Sequence, residues 1–369
     1  MNPKKIVTII GARPQFIKAS AVSATLAAAG RLREIVVHTG QHFDANMSAV
    51  FFSELGMATP NYHFDIHGGS HGEMTGRMLT AIEQVLHSEK PAAVLVYGDT
   101  NSTLAGALAA IKLHIPVAHV EAGLRSFNMR SPEEINRILT DRVAQWLFTP
   151  TEGAATELLR EGTAPDKICP VGDVMYDVAL HQGARVDKEG GLLAKLTAEY
   201  GIRPGEFCLA TIHRAENTDD LNRLTTIVDA LSAFARQIPV VWPLHPRTQD
   251  VLARHGKLAM LARPLILVEP MGYIDMVQME KYAALIATDS GGVQKEAFFH
   301  RVPCVTFRDE TEWTELVEAG WNRLSPPTNV SQALSDLRLS LGTTGKDISP
   351  YGTGDAALRI EQRLATDLA

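Results

Sequence analysis

Short apolar runs alternate with helical periodicity along the first half of the chain. Five of these runs have the length and composition of buried strands: Ile6–Ile10, Ile35–His38, Val94–Tyr97, Val117–Val120 and Trp146–Phe148. Between the second and third runs the apolar residues follow helical spacing: Met78, Leu79, Ile82, Val85 and Leu86. Apolar strands separated by helices predict βαβ units and a parallel sheet that is covered on both faces.

The same alternation returns in the second half, after a polar connection that contains glycine and runs from Val178 to Gly191. Its strands are expected at Phe207–Ile212, Val240–Trp242, Leu265–Val268, Ala284–Thr288 and Pro303–Phe307. The pattern predicts an α/β protein of two Rossmann-like, doubly wound domains, 1–175 and 176–355, with a last helix, 356–369, that packs back on the first. Two such sheets turn their carboxyl ends toward a common cleft, where ligands of these folds bind.

Composition narrows the class of protein. The chain has 369 residues, 45% of them apolar and 21% charged, and no apolar run is long enough to cross a membrane. The net charge of −7 argues against general nucleic-acid binding. Cys169, Cys208 and Cys304 have no metal-ligand spacing, so we expect buried thiols in a reducing cytoplasm and no metal site. The N-terminal apolar run ends abruptly at Gly11, which favours a first core strand over a signal peptide.

One turn has the chemistry of an anion site. The apolar run that starts at Ala284 ends at Asp289-Ser290-Gly291-Gly292, and a helical segment follows. Two glycines let the backbone turn tightly and approach a ligand, and the free N–H groups of a helix's first turn favour an anion. Ser290 adds a hydroxyl donor, and Glu296 offers a carboxylate suited to ribose hydroxyls. An ordinary βα turn explains the same residues, so the interpretation depends on the other strand ends.

Polar residues also follow at least four other predicted strands. In chain order the candidates are Arg13, Lys18, Asp99, Glu121, Glu133, Arg137, His213 and His245. Each has an ordinary explanation, such as helix capping, surface pairing or a satisfied histidine. Their shared placement at strand ends instead indicates a site of carboxylates and cations. The turn after the first strand is neither a Gly-x-Gly-x-x-Gly dinucleotide motif nor a P-loop.

Six spaced motifs carry a resemblance to a known family. They are Gly11-Ala-Arg-Pro-x-x-Ile-Lys18, Gly98-Asp-Thr-Asn-Ser-Thr103, His119-Val-Glu-Ala-Gly-Leu-Arg125, Pro132-Glu-Glu-x-Asn-Arg137, His213-Arg214 and Asp289-Ser-Gly-Gly292. In this order, from about residue 5 to about residue 358, the chain resembles the non-hydrolysing UDP-N-acetylglucosamine 2-epimerases. That family has the glycosyltransferase-B architecture and interconverts UDP-N-acetylglucosamine and UDP-N-acetylmannosamine for surface polysaccharides, including lipopolysaccharide.

The resemblance implies a role for each candidate. Asp99, Glu121 and Glu133 are the implied acid/base carboxylates, and His213 the group that stabilises departing UDP. The implied ligands of the UDP-sugar are Arg13, Lys18, Arg137, Ser290, Gly291, Gly292 and Glu296. Some members take UDP-N-acetylglucosamine as an activator at a second site, for which the matching residues are Gln41, His42 and His245. The resemblance also implies a homodimer. No cofactor is expected, and the composition argues for the cytoplasm and against nucleic-acid or membrane partners.

The chemistry of the reaction agrees with these parts. The C2 hydrogen of a glycosyl nucleotide is not next to a carbonyl, so an enzyme must either oxidise the ring or expel UDP while a base takes the C2 proton. The chain lacks a dinucleotide fingerprint but places carboxylates opposite a phosphate site. Elimination of UDP to a 2-acetamidoglucal, followed by re-addition on the other face, is therefore the expected route.

Departures from the family pattern leave the sugar open. Trp313 stands where many members have arginine, and Gly172-Asp173-Val174 replaces a common Gly-Asn-Thr. In these features the chain is similar to a subgroup that acts on UDP-2,3-diacetamido-2,3-dideoxyglucuronic acid. Arg125, Arg130 and Arg137 are expected to be free cations for the C6 carboxylate of that sugar. The substrate is either that uronate or UDP-N-acetylglucosamine. The competing functions are a retaining glycosyltransferase of the same fold, a hydrolysing 2-epimerase and a non-catalytic UDP-sugar sensor.

Overall fold

The computed structural model describes residues 3–41, 52, 55–189, 191–256 and 265–369, with 187–189 as backbone alone. The chain divides into two compact units. Unit 1 comprises residues 1–178 and 349–369, and unit 2 comprises residues 179–348. No helix in the described part of the chain is long and apolar enough to cross a membrane.

Unit 1 is built on a seven-stranded parallel sheet. Its strands are β1 (Lys4–Ile10), β2 (Leu32–His38), β3 (Tyr62–His63), β4 (Ala93–Tyr97), β5 (Val117–Val120), β6 (Trp146–Thr149) and β7 (Ile168–Pro170). Its helices are α1 (Arg13–Ala29), α2 (His71–Glu89), α3 (Asn101–Lys112), α4 (Pro132–Val143), α5 (Glu152–Arg160), the start of α6 (Val174–Glu189) and the C-terminal helix (Ala356–Asp367). The spatial order of the strands is β3-β2-β1-β4-β5-β6-β7.

Unit 2 contains a six-stranded parallel sheet. Its strands are β8 (Cys208–Thr211), β9 (Val240–Pro243), β10 (Ile266–Val268), β11 (Leu285–Thr288), β12 (Cys304–Thr306) and β13 (Asn322–Leu324). Its further helices are α7 (Leu192–Tyr200), α8 (Ala215–Thr218), α9 (Leu221–Phe234), α10 (Pro246–Arg254), α11 (Tyr273–Tyr282), α12 (Gly291–Phe299), α13 (Thr314–Glu318) and α14 (Val330–Ser340). The spatial order is β10-β9-β8-β11-β12-β13.

The predicted α/β class is confirmed, and the reason lies in the strands. β1, β4, β8 and β11 are almost wholly buried along their length, because helices cover both faces of each sheet. Every ladder between described strands is parallel. The three strands that the pattern does not predict, β3, β7 and β13, are two or three residues long and lie at or beside sheet edges, so they carry almost no periodic signal.

The polar connection predicted from Val178 to Gly191 is wrong over most of its length, because α6 continues through it to Glu189. Four buried residues of this helix recur every four positions, Val174, Val178, Gln182 and Val186, and the small residues Ala179 and Gly183 are buried next to them. That stripe packs the helix despite the polar composition of its other faces. Gly183 is accommodated within the helix, and its carbonyl accepts a hydrogen bond from Lys281 Nζ at 3.0 Å.

The C-terminal helix belongs to unit 1, where polar contacts fix both of its ends. The Asp177 carboxylate accepts the backbone N–H groups of Ala356 (3.2 Å) and Ala357 (2.7 Å) at its start. Burial raises the pKa of Asp177 to about 6, although these two hydrogen bonds oppose the shift. Near the other end, Trp146 Nε1 donates to Asp367 at 2.6 Å. Between them, the fully buried Glu361 pairs with Arg31.

Candidate active site

Both sheets have the same topology once their strands are numbered within each unit. Each sheet starts in its middle, winds toward one edge and then reverses to the other side, which is the order 3-2-1-4-5-6 of doubly wound sheets, and unit 1 adds a seventh strand at one edge. The reversal leaves a switch point between β1 and β4 in unit 1 and between β8 and β11 in unit 2. Ligands of such sheets bind beyond the carboxyl ends of the strands at this point. Most of the candidate residues follow these four strands or their neighbours.

In unit 1 the buried side chain of Gln15 bridges the switch point. Its Oε1 accepts the backbone N–H groups of Gly11 (2.8 Å) and Ala12 (3.0 Å), which follow β1. Its Nε2 donates to the carbonyl of Tyr97 (2.8 Å) at the end of β4 and to Thr103 Oγ1 (2.9 Å). One amide therefore holds both loops in register. Sequence reasoning did not single out Gln15.

Lys18 and Glu121 come together beside the β4 loop. They form an ion pair in which each side chain is 12% exposed. A Cβ placed on Gly98 would lie 3.2 Å from Glu121 Oε2 and 3.5 Å from Lys18 Nζ, so a side chain here would press on the ion pair. Gly98 itself has φ +63°, a conformation that favours glycine.

Glu121 has a backbone conformation that is rare for a residue with a side chain. Its φ is +69°, and the N–H groups of Glu121 and Ala122 both donate to the Phe148 carbonyl at 3.1 Å. Such strain persists only where the surroundings impose it, and it concentrates at functional sites. The turn after β5 therefore directs this carboxylate toward Lys18.

Asp99 is half-buried and held by two residues of α4. Its carboxylate accepts Arg137 Nη2 at 2.6 Å, and its backbone carbonyl accepts Asn136 Nδ2 at 2.9 Å. Arg137 also donates to Glu134 at 2.7 Å. The expectation that Arg137 is a free cation is wrong, because both of its terminal nitrogens are occupied by carboxylates.

Glu133 and Glu134 are adjacent in sequence and differ in environment. Glu133 is exposed, and the hydroxyl of Ser131 donates to its carboxylate and lowers its pKa. Glu134 is buried and accepts the backbone N–H groups of Ser126 and Phe127, both at 2.9 Å. Burial alone would raise the pKa of Glu134, but these hydrogen bonds and Arg137 hold it below its usual range. Only Glu133 is open to a ligand.

The other two arginines expected as free cations also differ. Arg125 is buried and paired, with bonds to both oxygens of Glu161 (2.7 and 2.8 Å) and to Asp141 (2.8 Å), so the expectation for it is wrong. Arg130 is exposed and forms no ion pair with the residues that the structure describes. Of these three arginines, Arg130 therefore remains the candidate to bind a carboxylate of the substrate.

The remaining candidates of unit 1 lie at the ends of β1 and β2. Arg13 is the exposed first residue of α1. Gln41 follows β2, and its Oε1 accepts the N–H (3.0 Å) and hydroxyl (2.7 Å) of Ser102 at the start of α3. His42, the third residue assigned to a second site, lies outside the described residues.

In unit 2 the buried carboxylate of Asp289 bridges the switch point. It accepts the backbone N–H groups of His213 (3.1 and 3.2 Å) and Arg214 (3.0 Å), which follow β8, and the side-chain amide of Asn217 at 3.0 Å. The side chain of Asp289 is therefore used inside the protein. The sequence analysis singles out the backbone of this turn and the Ser290 hydroxyl, but not this carboxylate.

Two histidines lie together above this switch point. The rings of His213 and His245 are 5.8 Å apart between centroids. Partial burial lowers the pKa of His213, Asp289 opposes the shift, and His245 and Arg214 add to it. His245 caps α10 through its Nδ1, which accepts the N–H of Arg247 at 3.2 Å. This hydrogen bond occupies one ring nitrogen of His245. The role of His245 at a second ligand site stays a prediction.

The turn Ser290-Gly291-Gly292 opens α12. Ser290 is the residue before the helix, and its hydroxyl forms no capping bond. A Cβ on Gly291 would lie 2.7 Å from Glu312 Oε1, whereas the nearest atom to one on Gly292 is 3.9 Å away. Trp313 Nε1 donates to the Gly291 carbonyl at 2.9 Å. Trp313 thus packs under the glycine turn, and Lys295 Nζ lies 4.4 Å from the centre of its ring.

Glu296, the candidate ribose ligand in α12, has a second carboxyl near it. Glu280 of α11 is fully buried, and neither of its oxygens has a hydrogen-bond partner among the described residues. Burial, together with the charge of Glu296, raises the pKa of Glu280 well above its ordinary value. The charged form of this side chain is therefore disfavoured. Sequence reasoning missed it because a lone glutamate in a helix resembles a surface residue.

Parallel sheets of this strand order place the protein among the doubly wound α/β proteins, which bind nucleotides at their switch points. The family model for UDP-N-acetylglucosamine 2-epimerase matches residues 24–365. The chain belongs to this family.

Relatives and solved structures match over nearly the whole chain. The UDP-2,3-diacetamido-2,3-dideoxy-D-glucuronate 2-epimerase of Pseudomonas aeruginosa is 55% identical over 98% of this chain and 99% of its own length. A crystal structure of the Methanocaldococcus jannaschii UDP-GlcNAc 2-epimerase with UDP-GlcNAc and UDP is 41% identical, covers 98% of this chain and 99% of that chain, and has a TM-score of 0.84. The Neisseria meningitidis enzyme bound to UDP-GlcNAc is 28% identical, with coverage of 98% and 100% and a TM-score of 0.82.

Proposed function

We propose that this epimerase inverts carbon 2 of UDP-2,3-diacetamido-2,3-dideoxyglucuronate to give the mannuronate epimer. The observation that carries the proposal is the 55% identity to the Pseudomonas enzyme of that name, over 98% of this chain. Arg130, which is exposed and forms no ion pair with the described residues, supports it, because a sugar with a C6 carboxylate needs a cation that is not already neutralised.

UDP-N-acetylglucosamine is the second candidate substrate. It is favoured by the relative from Methanocaldococcus jannaschii named UDP-N-acetylglucosamine 2-epimerase, which is 41% identical over 96% of this chain. Two of the matching solved structures hold this sugar nucleotide. Because Arg125 and Arg137 are already paired with carboxylates, they do not favour an acidic sugar over this neutral one.

The proposed mechanism is elimination followed by re-addition. A carboxylate removes the C2 proton, the C1–O bond breaks, and its electron pair leaves with UDP while a C1–C2 double bond forms. UDP then adds back to C1, and a second acid delivers a proton to the opposite face of C2. Asp99, Glu121 and Glu133 are the proposed acid/base groups. Lys18 pairs with Glu121 and Arg137 pairs with Asp99, so two of these carboxylates each face a cation.

The turn in unit 2 is the proposed site for the leaving group. Ser290, Gly291 and Gly292 offer the first N–H groups of α12 to the diphosphate, with Arg13 as a further cation. Glu296 is the proposed ligand of the ribose hydroxyls. His213, whose pKa is lowered chiefly by burial, is proposed to donate a hydrogen bond to departing UDP.

The wider context is part of the same proposal. The product would serve surface polysaccharide synthesis, including lipopolysaccharide, in the cytoplasm. We propose a homodimer, and an activating UDP-N-acetylglucosamine bound by Gln41, His42 and His245. Support for these points comes from the motifs shared with the family.

A single NMR experiment tests substrate and route together. Each UDP-sugar is incubated separately with the enzyme in D2O, and the C2 position of the product is observed. Elimination predicts complete deuterium incorporation at C2 and traces of glycal with free UDP, with a higher kcat/KM for the uronate. Product that keeps its original C2 hydrogen would exclude the mechanism, and a preference for UDP-N-acetylglucosamine would exclude the uronate as the main substrate.

The structure supplies a matched control for this experiment. Glu121→Gln should lower kcat by about 10²–10⁴-fold, the usual loss for a removed acid or base. Glu89 also pairs with a lysine, Lys5 at 2.9 Å, but near the start of β1 rather than its carboxyl end. Glu89→Gln should therefore leave the rate unchanged. Equal losses in the two variants would show that the effect is structural.

A further inference from the structure

A buried network of ionisable side chains in unit 1 has no role in the proposed mechanism. His119 of β5 donates or accepts through both ring nitrogens: Nδ1 is 2.7 Å from Asp141 Oδ1, and Nε2 is 2.7 Å from the Gly98 carbonyl oxygen. Asp141 continues to Arg125 (2.8 Å), which forms two bonds to Glu161. The His119 side chain is only 1% exposed and that of Asp141 only 3%.

The hydrogen-bond partners of the two ring nitrogens indicate the charge of the His119 side chain. A carbonyl oxygen only accepts, so Nε2 must carry the proton of its bond to Gly98. The other oxygen of Asp141 accepts the Gly123 N–H (3.1 Å) and Arg125 Nη1, and the guanidinium charge favours the ionised carboxylate. Burial would raise the pKa of Asp141, but His119 and Arg125 outweigh burial and lower it. Nδ1 must then donate as well, and the ring carries both protons.

We propose that His119 is a positioning residue that, as a buried imidazolium, fixes the Gly98–Asp99 turn for the epimerisation. This inference rests on the proposed function of Asp99 and Glu121. The imidazolium holds the Gly98 carbonyl, which is one peptide unit from Asp99. Gly98 in turn lies against the Lys18–Glu121 pair, so a shift of this turn displaces both candidate carboxylates.

The positive charge of His119 is proposed to contribute in addition to the position of its ring. The groups that face the ring are Asp141 from α4, the Gly98 carbonyl and, through Asp141, Arg125 with Glu161. These two cations and two carboxylates balance each other, which makes a buried imidazolium tolerable. A positive charge close to the turn also favours the ionised forms of the carboxylates beside it. A neutral hydrogen-bond donor at this position would supply the geometry without that charge.

Two variants separate geometry from charge. His119→Gln can retain a donor to Gly98, and His119→Asn can retain one to Asp141, but both are neutral. We expect kcat to fall about 10–100-fold in both, with KM within about twofold, and less in His119→Gln because it can still hold Gly98. We also expect the acid limb of the kcat/KM profile to move to higher pH in both variants. A purely structural histidine would leave that limb in place.

The protonation state is measured directly by ¹⁵N NMR of histidine side chains, with His119→Gln used for assignment. Both ring nitrogens of His119 should stay protonated from pH 6 to pH 8. A ring with one unprotonated nitrogen at pH 7.5, or an acid limb that does not move, would overturn the proposal. His300→Gln, which removes a buried histidine of unit 2, is the control that should leave the limb unmoved.

Failure of the proposed function gives a different result. A wild-type enzyme that epimerises neither UDP-sugar would exclude the reaction, whereas the ¹⁵N spectrum would still report the charge of His119.

Discussion

The two switch points have the same topology but are bridged by side chains of different character. In unit 1 a neutral amide, Gln15, accepts from the β1 loop and donates to the β4 loop. In unit 2 a carboxylate, Asp289, gathers donors from the β8 loop. Both side chains are at most 1% exposed. The same sheet order therefore permits two different electrostatic solutions to the problem of holding two loops together.

The difference agrees with the role that is proposed for each switch point. Unit 1 carries the proposed acid/base carboxylates, and a second negative charge under them would oppose their ionisation. A neutral bridge avoids that conflict. Unit 2 carries the proposed anion site, where an anion is best bound by N–H groups held in fixed positions. A carboxylate that only accepts can fix several N–H groups at once.

The largest effect is expected when the charged bridge is neutralised. Asp289→Asn keeps the shape but replaces one acceptor oxygen by a donor that faces the N–H groups of His213 and Arg214. Hydrogen bonds to charged groups contribute about 1.5–3 kcal/mol each, so we expect a loss of ~3 kcal/mol in the free energy of unfolding. Urea titration measures this loss, and calorimetry should show weaker UDP binding.

A surface carboxylate of the same unit is the control for this variant. Asp309 pairs with Arg223 at 3.1 Å, but its side chain is 64% exposed. Exposed pairs contribute roughly 0–1 kcal/mol, so Asp309→Asn should change stability little. Similar losses for Asp289→Asn and Asp309→Asn would contradict the bridging role.

A smaller effect is expected when a charge is added to the neutral bridge. Gln15→Glu replaces the Nε2 donor by an oxygen that faces the carbonyl of Tyr97, and should cost about 1–3 kcal/mol at pH 8. Protonation of the new carboxyl restores the donor, so its pKa in the folded protein should be raised. Stability is then retained below the unfolded-state pKa of about 4.3 and lost as the pH rises through the folded-state value. Urea titrations at pH 5 and pH 8 that give the same deficit would contradict this account.

The smallest effect is expected for Glu280→Gln, because a carboxyl group and an amide have nearly the same shape. Burial raises the pKa of Glu280, so the wild type should lose stability as the pH rises above the unfolded-state value of about 4.3. The glutamine of the variant has no carboxyl group to titrate, so this loss of stability with rising pH is absent. We expect matching stabilities near pH 4 and a relative gain for the variant at pH 8, measured by urea titration. A constant difference between these pH values would show that Glu280 does not titrate differently in the folded state.

Sequence reasoning predicted what local patterns determine. Ten apolar runs became strands because a fully buried parallel strand must be apolar over its length, and the polar loops followed from the strands. It failed where distant residues decide the outcome. The pairing of Arg125 with Glu161 joins residues 36 positions apart, and that of Arg137 with Asp99 joins residues 38 apart. The helical stripe of α6 was hidden because Gln182, a polar residue, fills one of its buried positions.

The return of the C-terminal helix to unit 1 has a consequence for biosynthesis. The ribosome completes residues 1–178 and then synthesises all of unit 2 before it reaches residues 349–369. At about 5–20 residues per second, unit 1 waits on the order of ten seconds without its last helix. During that time Arg31 and Trp146 lack their partners Glu361 and Asp367, and the surface that will receive Ile360 and Leu364 is open to water. Unit 2 is contiguous in sequence and can fold first, so the unit that begins the chain is the last to be finished.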